Sequence, residues 1–363
     1  MSRMVLLGCG GYVGSHLVDR FLADDRWTIA GWDLDVDRIE HHVGNPRLDL
    51  HVADVTSPDT RVALDTAIRD ADVVIGLTAI CNPAEYNTRP LDVIRGNLFD
   101  QYDIVERCSA HGTWLIQFST SEVYGRTLAS YATPGAYGRT ELYELDEDTT
   151  PFLMGPVTEQ RWTYATAKQL LERLVFAHHA EHGLPFTIVR PLNFFGPRMD
   201  YIAGRDGEGT PRVLASFMGA LLDREPMKLV DGGHARRTIV SVNDAVDAIE
   251  LMVQRPAQAQ NQVFNIGNRD IEVTMRELAE MMRATYAGIT GDPSFHSHPI
   301  EDVSSEEFYG PGYADCDRRM PRVDKARELL GWQAHTPLDQ ILRETMADYH
   351  ARHVDNRVAL AQS

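Results

Sequence analysis

MVLLGCGGYVGSHL, residues Met4–Leu17, decides the fold. Four apolar residues make a short buried strand, a glycine-rich turn follows, and the apolar spacing then becomes helical. A strand that runs through such a turn into a helix opens an α/β sheet. Gly8, Gly11 and Gly14 fit the spacing GxxGxxG. Val13 stands where GxGxxG requires its third glycine, so that plainer fingerprint is not met. The glycines let the backbone approach a pyrophosphate at the helix N-terminus, where unpaired N–H groups and the helix dipole favour an anion. Gly8, Gly11, Tyr12, Val13 and Gly14 are therefore candidate cofactor contacts.

Outward from this unit, short β-rich runs alternate with helical ones. Met4–Leu7, Thr28–Trp32, Leu48–Val52, Val73–Leu77, Trp114–Phe118 and Phe186–Val189 read as strands. Ser15–Ala23, Leu91–Ala110 and Tyr164–Glu181 read as helices. This alternation predicts a Rossmann-type, doubly wound parallel sheet over residues 1–190, with an acid-rich insertion at 126–161. Beyond Pro191 the elements become shorter and mixed: Pro211–Leu222, Asn243–Val253 and Thr274–Tyr286 read as helices and Gln262–Asn265 as a strand. Residues 191–353 are expected to form mainly a smaller mixed substrate domain, and 354–363 a frayed tail.

The chain has 363 residues, enough to bury a core without staples, and a formal net charge of −18. Such an acidic surface disfavours nucleic acid and anionic membranes as partners. An anionic substrate would need a local basic cluster. Cys9, Cys81, Cys108 and Cys316 form no CxxC pair or zinc spacing, so neither disulfides nor a metal are expected. With no apolar leader before Val5 and no membrane-length apolar run, a cytoplasmic enzyme is the expectation.

Asp33 ends the second strand. An acid there accepts from a ribose 2′-hydroxyl and repels a 2′-phosphate, which points to NAD over NADP. Asp54 and Val55, past the third strand, either touch the adenine or form a solvated turn. Tyr164-Ala-Thr-Ala-Lys168 places a phenol and an ammonium on one helix face. A lysine that lowers the tyrosine pKa makes the pair a base for a sugar hydroxyl. At the end of the fifth strand, Thr120 and Ser121 can hydrogen-bond a reacting hydroxyl. Glu122 is either a general acid/base or a first-turn helix acid. Arg212, Lys228, Arg236, Arg237, Arg318 and Arg319 supply the basic cluster, and guanidinium forks suit phosphate and carboxylate.

Together these residues identify the chain as similar to the extended short-chain dehydrogenase/reductase family. Within it, the likeness runs to the plant UDP-apiose/UDP-xylose synthases and to the UDP-glucuronate decarboxylating dehydrogenase of the bacterial polymyxin-resistance pathway. It spans about Met4 to Arg352. AICNPAEYNTRPLD (Ala79–Asp92), STSEVYG (Ser119–Gly125), RWTYATAKQLLERL (Arg161–Leu174), RPLNFFGPRMD (Arg190–Asp200) and SSEEFYGPGYADCDRRMP (Ser304–Pro321) carry it. The resemblance implies bound NAD, a UDP-sugar substrate and a homodimer pairing the helices at 91–110 and 164–181. It implies Thr120, Ser121, Glu122, Tyr164 and Lys168 as catalytic, and Arg319 as the arginine engaging a substrate carboxylate. Tyr86, Arg161, Asn193, Arg212, Lys228, Arg237 and Tyr313 would line the UDP-sugar site.

Two positions bear on the product. Cys81 matches the plant synthases, whereas Ser121 matches the polymyxin-pathway enzyme. The expected chemistry is oxidation of UDP-glucuronate at carbon 4 and decarboxylation. The pentose nucleotide that follows is a 4-keto-pentose, UDP-xylose or UDP-apiose. Epimerisation at carbon 4 without loss of carbon dioxide, or dinucleotide binding without catalysis, are the competing expectations.

Overall fold

The computed structural model describes residues 1–131, 139–209, 211–309, 316 and 318–355. Seven parallel strands form the central sheet: β1 (Ser2–Leu7), β2 (Trp27–Asp33), β3 (Leu48–Val52), β4 (Val73–Gly76), β5 (Trp114–Phe118), β6 (Phe186–Pro191) and β7 (Gln262–Ile266). Their spatial order is β7-β6-β5-β4-β1-β2-β3. The order reverses at β1, which opens a crevice at the carboxyl ends of β1 and β4, where ligands of such sheets bind. The expected Rossmann-type architecture is the one observed.

Each face of the sheet is covered. Helix α1 (Tyr12–Ala23) packs its Leu17, Val18 and Phe21 on one face. On the other, helices α2 (Asp100–His111) and α3 (Thr163–His182) contribute Ile104, Val105, Leu171 and Val175. β4, β5 and β6 are nearly continuous apolar runs because both faces are buried. Helix α4 (Val242–Gln254) lies beside α1, with Val246 and Ile249 in the same core. With β7, it shows the second half of the chain returning to the first sheet.

The stretch expected as one helix, Leu91–Ala110, is three pieces. Pro90–Ile94 is followed by a π-helical turn, Arg95–Phe99, and then by α2. The extra residue in that turn lets the Asn97 amide donate to the Ile80 carbonyl at 2.9 Å and the Val93 carbonyl at 2.8 Å. Periodicity alone carries no sign of that side-chain insertion.

A second core gathers Phe195, Leu214, Phe217, Met218, Leu278, Met282, Ile341 and Met346. Above the crevice, a four-stranded sheet joins Glu272–Thr274, Arg236–Thr238, Arg318–Pro321 and Glu144–Leu145. The last strand comes from the acid-rich insertion.

Candidate active site

The crevice deepens into a cavity of about 650 Å³. Gly8, Gly11, Tyr12, Val13, Gly14, Asp33, Asp54 and Val55 line one end. Cys81, Tyr86, Thr120, Ser121, Glu122, Tyr164, Lys168, Asn193, Arg212, Arg237 and Arg319 line the other.

Helix α1 is capped by Gly11 with no side-chain acceptor and has no acid in its first turn, so its N-terminal N–H groups remain available to an anion. A Cβ at Gly14 would lie 2.0 Å from the Gly8 carbonyl oxygen. Gly10, which the spacing argument passed over, is equally constrained: its Cβ would lie 1.8 Å from the Asp35 carbonyl oxygen. The Gly10 N–H donates to Asp33 Oδ2 at 2.8 Å, and the Leu34 N–H donates to Oδ1 at 2.7 Å. Asp33 thus fastens the glycine loop as well as facing the cavity. An uncapped helix end, a close-approach glycine turn and an acid at the end of β2 fit the pyrophosphate and ribose of a dinucleotide.

The π-helical turn and the start of α2 add lining residues that the sequence did not single out, Gly96 from the first and Asp100 and Gln101 from the second. The Gln101 amide donates to Thr78 Oγ1 at 3.1 Å and to the Gly96 carbonyl at 3.0 Å. Their signal was faint: a glycine inside a helical pattern.

Tyr164 and Lys168 sit on the buried face of α3, at 5% and 1% exposure. Lys168 Nζ donates to the Phe118 carbonyl at 3.2 Å, at the end of β5. The Glu122 N–H donates to Thr120 Oγ1 at 3.1 Å, which starts the 3₁₀ turn Ser121–Tyr124 and aims Thr120 and Ser121 into the cavity. The Tyr86 ring stacks on Tyr164, and its hydroxyl donates to the Cys81 carbonyl at 3.1 Å.

The electrostatics correct one expectation. Burial drives the Tyr164 phenol well above its ordinary range; the neighbouring Cys81 and Glu122 add to this, against a hydrogen bond from Thr120. The phenol is raised, not lowered, chiefly because the site is dry. Burial also brings the Lys168 ammonium down to about 8, against the influence of Cys81 and Glu172.

Glu122 behaves oppositely. Burial would raise its carboxyl, but the guanidinium charges of Arg161, Arg319 and Arg237 outweigh burial and hold it at about 2. Arg161 grips Glu122 with both terminal nitrogens. It was expected to line the sugar site, and it is not among the residues lining the cavity.

The paired arginines are sorted by strand geometry. Arg236 pairs with Arg318, and Arg237 with Arg319, in parallel register. Alternate residues of a strand face opposite ways. Arg237 and Arg319 enter the cavity, whereas Arg236 and Arg318 meet Glu272 on the other side. Arg319 is 5% exposed and reaches Glu122 with Nη1 at 3.4 Å, while its Nε and Nη2 are buried without a hydrogen-bond partner among the described residues. Arg212 leans on Asp200, with Nε at 3.1 Å. Asn193 lines the cavity with φ at 50°, its amide donating to the Thr238 carbonyl at 2.8 Å.

One expected contact stands elsewhere. Lys228 lies exposed on the strand Met227–Val230, away from the cavity lining. Tyr313 falls outside the described residues. Cys81, which small apolar cysteines would lead one to place in a core, is exposed at the cavity wall. Among the described residues no disulfide joins the cysteines.

An α/β sheet with an open helix N-terminus, and a tyrosine–lysine pair facing it, define a dinucleotide-dependent enzyme of the extended short-chain dehydrogenase class. The chain belongs to the NAD dependent epimerase/dehydratase family, whose sequence model matches residues 4–267. It is 47% identical over 355 residues to the UDP-D-apiose/UDP-D-xylose synthase of Oryza sativa subsp. japonica, covering 95% of this chain and 88% of that one. It is 45% identical to UDP-D-apiose/UDP-D-xylose synthase 1 of Arabidopsis thaliana, covering 96% and 92%. Among solved structures, the PbgP3 protein from Burkholderia pseudomallei superposes with a TM-score of 0.82, at 29% identity and 99% coverage of both chains. The UDP-glucuronic acid 4-epimerase from Bacillus cereus shares the fold, with a TM-score of 0.76 at 19% identity, over 97% of this chain and 100% of that one. Among the described residues, no helix is long and apolar enough to cross a membrane.

Proposed function

We propose that this protein binds NAD and UDP-glucuronate, oxidises the sugar at carbon 4 and decarboxylates it, yielding a UDP-4-keto-pentose and from it UDP-xylose, UDP-apiose or both. The observation that carries the reading is the Arg319 guanidinium, buried in one cavity with Tyr164 and holding two donor nitrogens without a hydrogen-bond partner among the described residues. Such an edge fits a second carboxylate. The extensive identity to two UDP-apiose/UDP-xylose synthases supports the same reading.

NAD, when bound, supplies the two-electron acceptor for carbon 4 and the donor for the closing reduction. Tyr164 takes the proton of the 4-hydroxyl as its phenolate, a form that burial disfavours and that the Thr120 hydroxyl, the Lys168 ammonium and the positive charge NAD⁺ would bring on binding together favour. Arg319 holds the carbon-6 carboxylate. Once carbon 4 is a ketone that carboxylate is a β-keto acid, and the carbon 5–carbon 6 bond breaks with release of carbon dioxide. Thr120 hydrogen-bonds the resulting enolate oxygen, a contribution worth a few kcal/mol. Glu122, ionised between guanidiniums, is an acceptor, so the Ser121 hydroxyl or a held water delivers the proton to carbon 5. Arg212 and Arg237 meet the diphosphate. Cleavage between carbons 2 and 3, reclosure beside Cys81 and then reduction lead to apiose; reduction without that rearrangement leads to xylose.

The exposed apolar side chains of this face support a homodimer. Leu91, Phe99, Tyr102, Leu170 and Phe176 stand out from the helices at 90–111 and 163–182. A charge at Phe176 is then expected to yield monomers in light scattering.

Incubation with UDP-glucuronate and NAD⁺, with carbon dioxide and pentose nucleotides followed by NMR, tests the activity. Absence of both products ends the proposal. Retention of all six sugar carbons in an epimerised product would replace it.

A further inference from the structure

Arg161 stands in the short turn Gln160–Trp162 that leads into α3. It is 5% exposed and lies 5.6 Å from the ring centres of both Tyr86 and Trp162. Its two terminal nitrogens take both oxygens of Glu122. Arg319 approaches the same carboxylate from the Arg318–Pro321 strand, with a single nitrogen at 3.4 Å. A carboxylate fits one guanidinium fork in bidentate fashion. Since Arg161 takes that fork, Glu122 does not close over the donor edge of Arg319.

We propose that Arg161 is a positioning residue that selects acidic sugars, by holding Glu122 off Arg319 and so keeping the Arg319 edge open to a substrate carboxylate. This rests on the proposed function for the identity of the acidic sugar. Without Arg161 the nearest counter-ion for Glu122 is Arg319, and the pocket fills its own carboxylate site with a side chain. The same charge balance explains why a carboxylate is retained among three guanidiniums: it offsets one cation and leaves the others for anionic ligands.

The experiment is a double-mutant cycle on binding. A Tyr164→Phe background stops turnover, and calorimetry on the NAD⁺-loaded protein then reads UDP-glucuronate, UDP-glucose and UDP. Arg161→Met is expected to weaken UDP-glucuronate about tenfold or more, while UDP-glucose and UDP stay within about twofold. Adding Glu122→Gln removes the competing charge, and affinity is expected to return to within about threefold of the Glu122→Gln reference. Should Arg161→Met not fold, Arg161→Lys keeps the charge and stem but not the fork. It is expected to lose affinity for UDP-glucuronate alone, and to be rescued in the same way.

Unchanged UDP-glucuronate affinity in the Arg161 variants, or a double variant as weak as the single one, overturns the proposal. A parent protein that does not prefer UDP-glucuronate to UDP-glucose overturns the functional reading and this one with it. A parent that does, with no rescue, overturns this one alone.

Discussion

Tyr86 lies flat against Tyr164, ring centres 5.1 Å apart and planes 12° from parallel, while its hydroxyl holds the Cys81 carbonyl. One buried ring thereby sets both the candidate base and the loop carrying the cysteine. Tyr86→Phe keeps the stack and removes one hydrogen bond, a loss of about 1 kcal/mol. Tyr86→Ala opens a cavity, and a loss of about 3–5 kcal/mol is expected together with slower turnover. Urea denaturation and steady-state rates distinguish the two. Equal effects from both substitutions would show that the stack positions nothing.

Arg319 is expected to decide whether the carboxylate is held. In Arg319→Met, UDP-glucuronate affinity falls roughly thirtyfold or more, the range for truncating one partner of a buried charge pair. UDP alone, which lacks the carboxylate, binds much as before. A parallel loss for both ligands would move Arg319 out of the carboxylate site.

Lys168 sets stability against function. Its folded pKa of about 8 lies below the ordinary lysine value of 10.5. Between those values the unfolded chain binds a proton that the folded one does not, so stability rises with pH across that window. Below about 8 the buried ammonium costs stability throughout. Lys168→Met is therefore expected to gain about 3 kcal/mol at pH 7, an advantage that shrinks as pH rises from 8 towards 10.5. Turnover is expected to drop at least about a hundredfold. Denaturation curves at pH 7 and 10 check the sign, and an unchanged difference refutes the assignment.

Asp33 is expected to set cofactor choice. A negative charge facing a 2′-phosphate at about 4 Å costs roughly 4 kcal/mol at an effective dielectric of 20. Asp33→Asn removes the repulsion and keeps one acceptor for the Gly10 N–H. The preference for NAD⁺ over NADP⁺, read from the two dissociation constants, is expected to shrink by up to about a thousandfold, the equivalent of that repulsion. A preference that survives intact places discrimination elsewhere.

Cys81 faces the cavity beside the groups expected to handle the 4-keto sugar. Cys81→Ala is expected to leave carbon dioxide release near its original rate and to lower the share of apiose. An unaltered apiose-to-xylose ratio by NMR removes the sulfur from ring contraction.

Much of the glycine-rich end of the cavity was legible because its determinants are local. A strand, a glycine turn and a helix in immediate succession leave the backbone few alternatives, and Asp33 closes the next strand. The YxxxK spacing needs only a helix to bring its two side chains onto one face. Arg161 resisted such reading. Its partner Glu122 lies 39 positions earlier, and only the packing of α3 against the turn Ser121–Tyr124 brings them together. The π-helical turn was hidden for a related reason, since the Asn97 bond to the Ile80 carbonyl spans 17 positions.

By itself the sequence determined the parallel sheet, the anion-binding helix end and the tyrosine–lysine face, all consequences of backbone periodicity and short-range sterics. The tertiary structure decided which arginines enter the cavity. Strands 236–238 and 318–321 come from segments some 80 residues apart, and their parallel register turns Arg237 and Arg319 inward and their neighbours out. Charge and burial there follow from which strand lies beside which, and adjacent arginines look alike until that pairing exists.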